Sequence, residues 1–380
     1  MDLKNYRKSI DEIDGKITEL FTERMALAAE IAEYKKDNRL PVRDPKRERE
    51  KLSALVQKVK PDMQNYMRSL YSMIFELSRA YQHKICAVQS ELSKKIECAL
   101  KTTQDTLPDA PLVACQGVEG AYSQIACEKM FRAPNIMYFS NFESVFSAID
   151  QGLCQYGVLP LENSTAGSVN AVYDFMMKYD FSIIRSTRIK VDHCLLANKG
   201  TTINDIKEIF SHEQALAQCS DYLRSLGDVK ITPCDNTAAA AKMLFESGRK
   251  DAAAISSSSC TELYGLDCLD KYVQNQDWNY TRFICISKKL EIYPGADKTS
   301  IMVILPHKPG SLYHALSGLY ALGINVIKLE SRPLPNSDFE FMFYFDLATS
   351  VYSDAFKQMF NGLEETCTTV KYLGSYMEVV

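Results

Sequence analysis

Residues 6–35 read YRKSIDEIDGKITELFTERMALAAEIAEYK. Steps of three and four along this stretch pick out Arg7, Ile10, Asp14, Ile17, Phe21, Arg24, Ala28, Ile31 and Lys35. Most of these are apolar, the mark of a buried helical seam. Three cations and one acid share it, and an unpaired charge in such a place is costly, so each needs a partner. Pairing with nearby acids or snorkelling to water is the ordinary explanation, and a small anionic ligand is the other. Arg7 and Arg24 are about 25 Å apart at about 1.5 Å rise per residue, too far to hold one small ligand from a single helix. Arg24 and Lys35 are about 16 Å apart, which two long inward-pointing side chains nearly bridge. Arg7 joins the same site only if it comes from an antiparallel partner chain.

The surroundings of this helix are helical too. Residues 1 to about 100 show no strand-like alternation, and after Gly15 the next glycine is Gly117. Helices are expected over 3–36, from about 44, and from Pro61 to about 102. Ser78 and Gln82 are four apart on the third, on a stripe with Tyr71, Phe75 and Ile85. Between the first two lies LPVRDPKREREK (40–51), with Arg43, Lys46, Arg47, Arg49 and Lys51 among three acids. A nucleic-acid patch, a solvated helix face and an anion site are the candidate readings.

Bulk composition narrows them. The 380-residue chain carries a formal charge of -4 and has a pI near 5.9, which argues against a general polyanion binder. Hydrophobic content of 46% and charged content of 24% are ordinary for globular proteins. No stretch has the roughly 20 apolar residues of a membrane span, and the start MDLKNYRKSI has no apolar signal core. The twelve cysteines are scattered without a C-x-x-C, so free thiols and a cytoplasmic location are expected. None of the five histidines is four residues from another, and neighbours on a strand, such as His193 and Cys194, face opposite ways. No metal site is expected.

Texture divides the rest. KTTQDTLPDAP (101–111) reads as a linker after a helical region 1–100. From 112 to 287, short apolar runs such as LVAC, IMYF and YGVLPL alternate with helical stretches, the α/β pattern. KKLEIYPGADK (288–298) reads as a second linker, marking a boundary that few contacts need cross. The tail, 299–380, reads strand (300–305), helix (311–321), strand (325–333), strand (339–347), helix (353–364), strand (368–378). This is the βαββαβ, ferredoxin-like order.

YRKSIDEIDGKITELFTERMALAAEIAEYK, RLPVRDPKRERE and ELSRAYQ together resemble the all-helical chorismate mutase family over about the first 90 residues. In that family two intertwined chains form each site. The matching positions imply that Arg7 from the partner chain, Arg24, Lys35, Asp44, Arg47, Glu48, Ser78 and Gln82 bind chorismate. Rearrangement of this dicarboxylate to prephenate needs no nucleophile; holding a compact conformer and stabilising charge on the ether oxygen suffice. Arg7 and Arg24 suit the carboxylates, Lys35 and Gln82 the ether oxygen. Arg47 would add positive potential, and Glu48 and Asp44 would accept from the hydroxyl and nearby groups. Lys35, Gln82 and Glu48 are the implied catalytic residues, and Arg49, Glu50 and Lys51 are expected in solvent.

In the middle region, GVLPLENSTAGS (157–168), SHEQALAQC (211–219) and NYTRF (279–283) each place polar groups just past an apolar run, where α/β sheets bind ligands. Helix caps are the ordinary alternative. GVEGAYS (117–123) matches neither a dinucleotide fingerprint nor a P-loop. Together the four segments resemble prephenate dehydratase over roughly 111–287, with Gly117-Val118 where the family usually has Gly-Pro and Glu213 where it usually has proline. The resemblance implies a two-lobed, periplasmic-binding-protein-like fold with prephenate in the cleft. Glu162, Asn163, Ser164, Ser211, Gln214, Gln218, Thr281, Arg282 and Phe283 would bind it. Loss of carbon dioxide and the ring hydroxyl needs a proton for the leaving oxygen. Thr281 is the implied acid, helped by Glu162, Asn163, Ser211 and Gln218; His212, whose ordinary pKa is near neutral, is the alternative.

HKPGSLYHAL (307–316) and INVIKLESRP (324–333) resemble the ACT domain of phenylalanine-regulated enzymes. Gly310, Ser311 and Leu312 with Glu330, Ser331, Arg332 and Pro333 would form the phenylalanine site. The order of the three regions resembles the family of bifunctional P-proteins of phenylalanine synthesis. It implies both enzyme activities, inhibition by phenylalanine, a homodimer or higher oligomer, no cofactor, no nucleic acid and no membrane. A non-enzymatic metabolite sensor built on the cleft and ACT domain is the rival; a sensor needs no leaving-group acid. A helical nucleic-acid module at the N-terminus is a second, and would bind polyanions in a salt-sensitive way.

Overall fold

The computed structural model describes residues 2–86, 91–334 and 340–380, with only the backbone of Asn361 and Glu365. The chain divides into two compact units, Met1–Cys98 with Lys298–Tyr372, and Ala99–Asp297 with Leu373–Val380.

The first unit begins with α1 (Leu3–Asp37), whose N-cap Asp2 accepts from the Asn5 N–H at 2.9 Å. Arg39, at φ 54°, turns the chain out of the helix. Asp44 caps α2 (Pro45–Val56), with proline at the first turn where no N–H is needed. A short turn at Pro61–Met63 leads into α3 (Gln64–Cys86), and α4 (Glu91–Thr102) follows. The third expected helix thus accounts for both; residues 87–90 lie outside the described residues. Ala28 and Ala32 are the only buried residues of α1. Their small side chains let α1 approach α3, and Ala32, Val42 and Cys86 form a core cluster there.

The second unit is two lobes. Its elements are β1 (Leu112–Gln116), α5 (Tyr122–Met130), β2 (Asn135–Phe139), α6 (Phe142–Asp150), β3 (Tyr156–Asn163), β4 (Gly167–Ser168), α7 (Asn170–Lys178) and β5 (Ser182–Lys190). Then come β6 (Cys194–Ala197), β7 (Glu208–Ser211), α8 (Glu213–Gln218), α9 (Ser220–Ser225), β8 (Lys230–Pro233), α10 (Thr237–Ser247), β9 (Ala252–Ser256), α11 (Ser259–Tyr264), β10 (Asp267–Lys271) and β11 (Tyr280–Ser287). In the first lobe β1 is parallel to β2 and β3, and β11 lies antiparallel between β3 and β5. In the second the order is β10-β6-β9-β7-β8. β9 (AAAIS) is buried at every position, as a strand covered on both faces must be. Residues 191–193 and 272–279 join the lobes and run side by side. The Val191 N–H donates to Asn279 O at 2.8 Å and the Val273 N–H to His193 O at 3.0 Å.

The C-terminal part follows the expected order with β12 (Lys298–Ile304), α12 (Ser311–Ala321), β13 (Asn325–Pro333), β14 (Phe341–Ala348), α13 (Asp354–Thr366) and β15 (Thr369–Val379). Residue 339, the expected start of the third strand, lies outside the described residues. β14 pairs antiparallel with both β12 and β13, and β13 ends the order. The tail departs from a self-contained domain. Met377–Val379 pairs parallel with β5 at Arg185–Thr187, in the second unit. Residues 288–298 are not an open linker either: Ile292, Tyr293 and Ala296 are buried, Tyr293 against the Val113–Cys285 core of the first lobe. In the first expected linker, Leu107 packs on that same core.

Candidate active sites

On the first unit, α1, α2 and α3 bring together side chains that are far apart in sequence. Arg24 donates to Ser78 Oγ and sits over the Phe75 ring, 5.9 Å from its centroid. Burial holds its guanidinium pKa below the ordinary value. Lys35 Nζ donates to Val42 O at 2.5 Å and to Gln82 Oε1 at 3.3 Å. The Gln82 carbonyl is thereby occupied, which leaves its amide NH2 as a donor. Ser78 and Gln82 are buried one turn apart on α3. Glu48, on α2, reaches the same face through Arg79, whose Nη1 lies 2.5 Å from Glu48 Oε1. Asp44 is exposed, and its Oδ1 accepts from the Arg47 N–H at 3.0 Å, so it starts α2. Arg7 and Arg47 are exposed. Arg7 is on the same helix as Arg24, seventeen residues earlier, and is not brought to the cluster within one chain.

In the second unit a cleft of about 600 Å³ runs between the lobes, lined by residues including Asn163, Gln214, Gln218, Thr281, Phe283, His193 and His212. Register decides who faces it. Thr281 pairs with Asn163 and Arg282 with Glu162 across β11 and β3. Alternation therefore sends Asn163, Thr281 and Phe283 to the cleft and Glu162 with Arg282 to the other face. There Arg282 Nε lies 2.7 Å from Glu162 Oε1, with Arg282 buried. Ser211 is fully buried and donates to Ile255 O at 2.7 Å. Ser164 donates to Trp278 O at 2.9 Å, beside rather than in the cleft. So four residues expected on the ligand, Glu162, Ser164, Ser211 and Arg282, have structural partners instead and do not line this cavity.

The remaining cluster is closely bonded. Asn163 Nδ2 donates to Asn279 Oδ1 at 2.7 Å and to Thr281 Oγ1 at 2.9 Å. Its Oδ1 accepts from Thr165 N and Oγ1 and from Ala166 N. Thr281 accepts here, so its own hydroxyl proton remains to be given. Gln218 Oε1 accepts from Asn279 Nδ2 at 3.0 Å, and Gln218 Nε2 donates to Thr165 Oγ1 at 2.9 Å. His193 Nε2 is 3.1 Å from the same Gln218 Oε1, which can only accept, so Nε2 carries the proton. Burial holds the His193 pKa below its ordinary value, with the Gln218 bond working the other way. His212 Nδ1 accepts from the Gln214 N–H at 3.2 Å and caps α8.

No lysine or arginine is among the residues lining the cleft. Helix starts line it instead, together with Asp235. Tyr122 and Ser123 of α5, Asn141 and Phe142 at α6, Val169 at α7, and Asn236 and Thr237 at α10 all line it. Their N–H groups and dipoles favour an anion. His193, Asn279 and Arg79 escaped the sequence reading. Asn279 and Arg79 lay inside the quoted NYTRF and ELSRAYQ; nothing in the sequence singled out His193 beyond its neighbour Cys194.

In the C-terminal part a cavity of about 310 Å³ is lined by Gly310, Ser311 and Leu312 with Phe341 and Phe343. Glu330–Pro333 are on β13, one strand over, paired with Phe341–Tyr344 of β14 rather than lining it.

A helical cluster built around Arg24 and Lys35 and a two-lobed cleft lined by helix starts have the chemistry to hold small carboxylates. A chorismate mutase type II family model matches residues 6–83, and a prephenate dehydratase model matches residues 113–291. The chain is 30% identical over 381 residues to the bifunctional chorismate mutase/prephenate dehydratase of Escherichia coli K12, covering 97% of this chain and 95% of that one. It is 37% identical over 276 residues to arogenate dehydratase/prephenate dehydratase 2 of Arabidopsis thaliana, covering 70% and 72%. The crystal structure of prephenate dehydratase in complex with L-Phe from Arthrobacter aurescens matches with TM-score 0.64 and 27% identity, covering 70% of this chain and 90% of that chain. The chain belongs to the bifunctional chorismate mutase/prephenate dehydratase family.

Proposed function

We propose that the chain catalyses two consecutive reactions at two separate sites: chorismate to prephenate on the helical part of the first unit, and prephenate to phenylpyruvate in the cleft of the second. The observation that carries this is that residues inside each matched region form their own polar cluster, Arg24–Ser78 with Lys35–Gln82 in one and Asn163–Thr281 with Gln218 in the other.

In the mutase site Arg24, and Arg7 of a second copy, hold the two carboxylates. Lys35 and the Gln82 amide donate to the ether oxygen as its bond breaks, and Glu48 accepts from the hydroxyl. This is positioning and electrostatics with no covalent step. In the cleft the substrate carboxylates sit against the helix starts. The ring carboxylate leaves as carbon dioxide, and its bonding pair enters the ring. The C4–oxygen bond breaks as Thr281 gives its proton to the departing hydroxide, forming water. Asn163 holds Thr281 in place, and solvent returns the proton. The ring becomes aromatic, which drives the step.

A homodimer accounts for α1. Leu3, Tyr6, Ile10, Ile17, Leu27 and Ile31 are exposed large hydrophobics on this one helix, an apolar face that a second copy would cover. The ferredoxin-like part serves as an ACT domain binding phenylalanine at Gly310–Leu312. β13, at the end of the strand order, offers Glu330–Pro333 to a neighbouring copy. All twelve cysteines are free, which suits a reducing cytoplasm. Among the described residues, no helix is long and apolar enough to cross a membrane.

The test is to supply purified protein with chorismate and follow prephenate and phenylpyruvate. Both should appear in turn; binding without turnover would favour the sensor. A parallel assay with arogenate, the substrate in the plant relative's name, decides between the two dehydratase substrates.

A further inference from the structure

Glu48 does not stand alone. Arg79 Nη1 lies 2.5 Å from Glu48 Oε1, and Arg79 Nη2 lies 2.5 Å from Glu76 Oε1. Glu76 Oε1 in turn is 3.2 Å from His314 Nδ1, on α12. The Arg79 side chain is only 11% exposed and that of Glu76 only 7%. Two carboxylates thus meet one guanidinium fork. Its planar, two-pronged geometry fixes both at once, as an ammonium cannot. Burial pushes the Glu76 carboxyl pKa up, but the His314 hydrogen bond and the Arg79 charge more than offset this and keep it ionised. Arg79 follows Ser78 and precedes Gln82 by one turn, next to the proposed chorismate site, and it lines a separate cavity with Glu76 and His314. α12 opens at Ser311, directly after Gly310 in the loop that lines the C-terminal cavity.

We propose that Arg79 is a positioning residue for the mutase reaction, holding Glu48 at the substrate hydroxyl, and that Glu76 and His314 tie its guanidinium to the C-terminal domain. This rests on the reading of Glu48 as a mutase-site residue. Any ligand that shifts α12 therefore reaches the mutase site through His314, Glu76 and Arg79. The mutase is tuned by the domain at the other end of the chain through three side chains.

The test is mutase kinetics on the full-length chain, with turnover of added prephenate as the internal standard. Arg79→Met is expected to lower mutase kcat/KM roughly tenfold, within the range for coupled neighbours, and to leave dehydratase turnover unchanged. Arg79→Lys keeps a cation without the fork and should fall between. Glu48→Gln should lower the mutase by itself, and adding Arg79→Met to it should cost nothing further. His314→Ala, at a side chain 43% exposed, should leave the fold intact and lower mutase kcat/KM a few-fold, an effect that vanishes in the Arg79→Met background. If Glu48→Gln is as active as the wild type, the assignment of Glu48 fails. If Glu48→Gln is impaired while Arg79→Lys and His314→Ala keep the full mutase rate, the positioning role is overturned. Additive losses in the Glu48→Gln/Arg79→Met chain overturn it too. Should Arg79→Met not fold, the Arg79→Lys and His314→Ala chains decide.

Discussion

In the proposed reaction Thr281 is a weak acid made useful by placement. Asn163 donates to its oxygen, which leaves the hydroxyl proton to be given in the cleft that Thr281 lines. Thr281→Val should therefore cut dehydratase turnover by about 10²–10⁴-fold, the usual range for a positioned proton donor, and leave mutase activity intact. A loss of only a few-fold would move the acid role to another cleft residue, with His212 the first to test. His193 makes a different prediction. Its pKa is held below the ordinary 6.5 by burial, so as pH falls the unfolded chain takes up the proton first. Its stabilising contribution is complete above about pH 6.5 and is lost as pH drops through and below that value. Urea unfolding of the second unit between pH 8 and 5 should show this loss, and His193→Asn should flatten it; an unchanged slope contradicts the buried neutral imidazole. The TRF motif is legible as a string, but its middle residue, Arg282, pairs with Glu162 and does not line the cleft. Thr281, Arg282 and Phe283 cannot all face one ligand from a strand with a two-residue period, and only register with Asn163 and Glu162 says which ones do.

Among the elements, the helix α1 and the βαββαβ order of the tail were readable from periodicity because each repeats a local rule over many residues. The seam expected to be buried is not buried in the single chain: Ile10, Ile17 and Ile31 are exposed and only Ala28 of the seam is buried. The reach of β15 was not readable. Nothing in TVKYLGSYMEV says that its end pairs with β5, some 190 residues earlier, since a strand's partner is a tertiary choice. The contact point is Gly374, at φ 135°, where a Cβ would lie 2.2 Å from Ile183 O. Gly374→Val should destabilise the second unit by roughly 1–3 kcal/mol, as backbone clash and strain do; an unshifted urea midpoint would mean that β15 does not dock there. A cut near Ile292 strips this strand away and ends among buried residues. The truncated chain is thus expected to lose dehydratase stability, contrary to what a free linker at 288–298 implies. The start of α2 is a smaller case. Asp44→Ala removes the cap and should cost about 1 kcal/mol, read as a lower melting temperature of the first unit.

For the whole molecule, the division of labour was legible because each family's residues cluster within its own stretch of chain. The proposed quaternary arrangement rests on a distance argument. Arg7 and Arg24 share a helix but not a place, so Arg7 must serve another copy if it serves the site at all. Arg7→Ala and Arg24→Ala chains, mixed and refolded, should regain mutase activity, because one site of each heterodimer then carries neither change. Heterodimers without recovery would refute the shared site.

The most direct measurement concerns the claim that the two reactions run at two separate sites. Chorismate and prephenate are supplied separately to the Arg24→Ala and Thr281→Ala chains, and both products are followed by time-resolved chromatography. The account predicts that Arg24→Ala leaves chorismate untouched yet converts added prephenate at the wild-type rate. Thr281→Ala should convert chorismate normally and accumulate prephenate. Loss of both activities from either single substitution in a folded chain would contradict it.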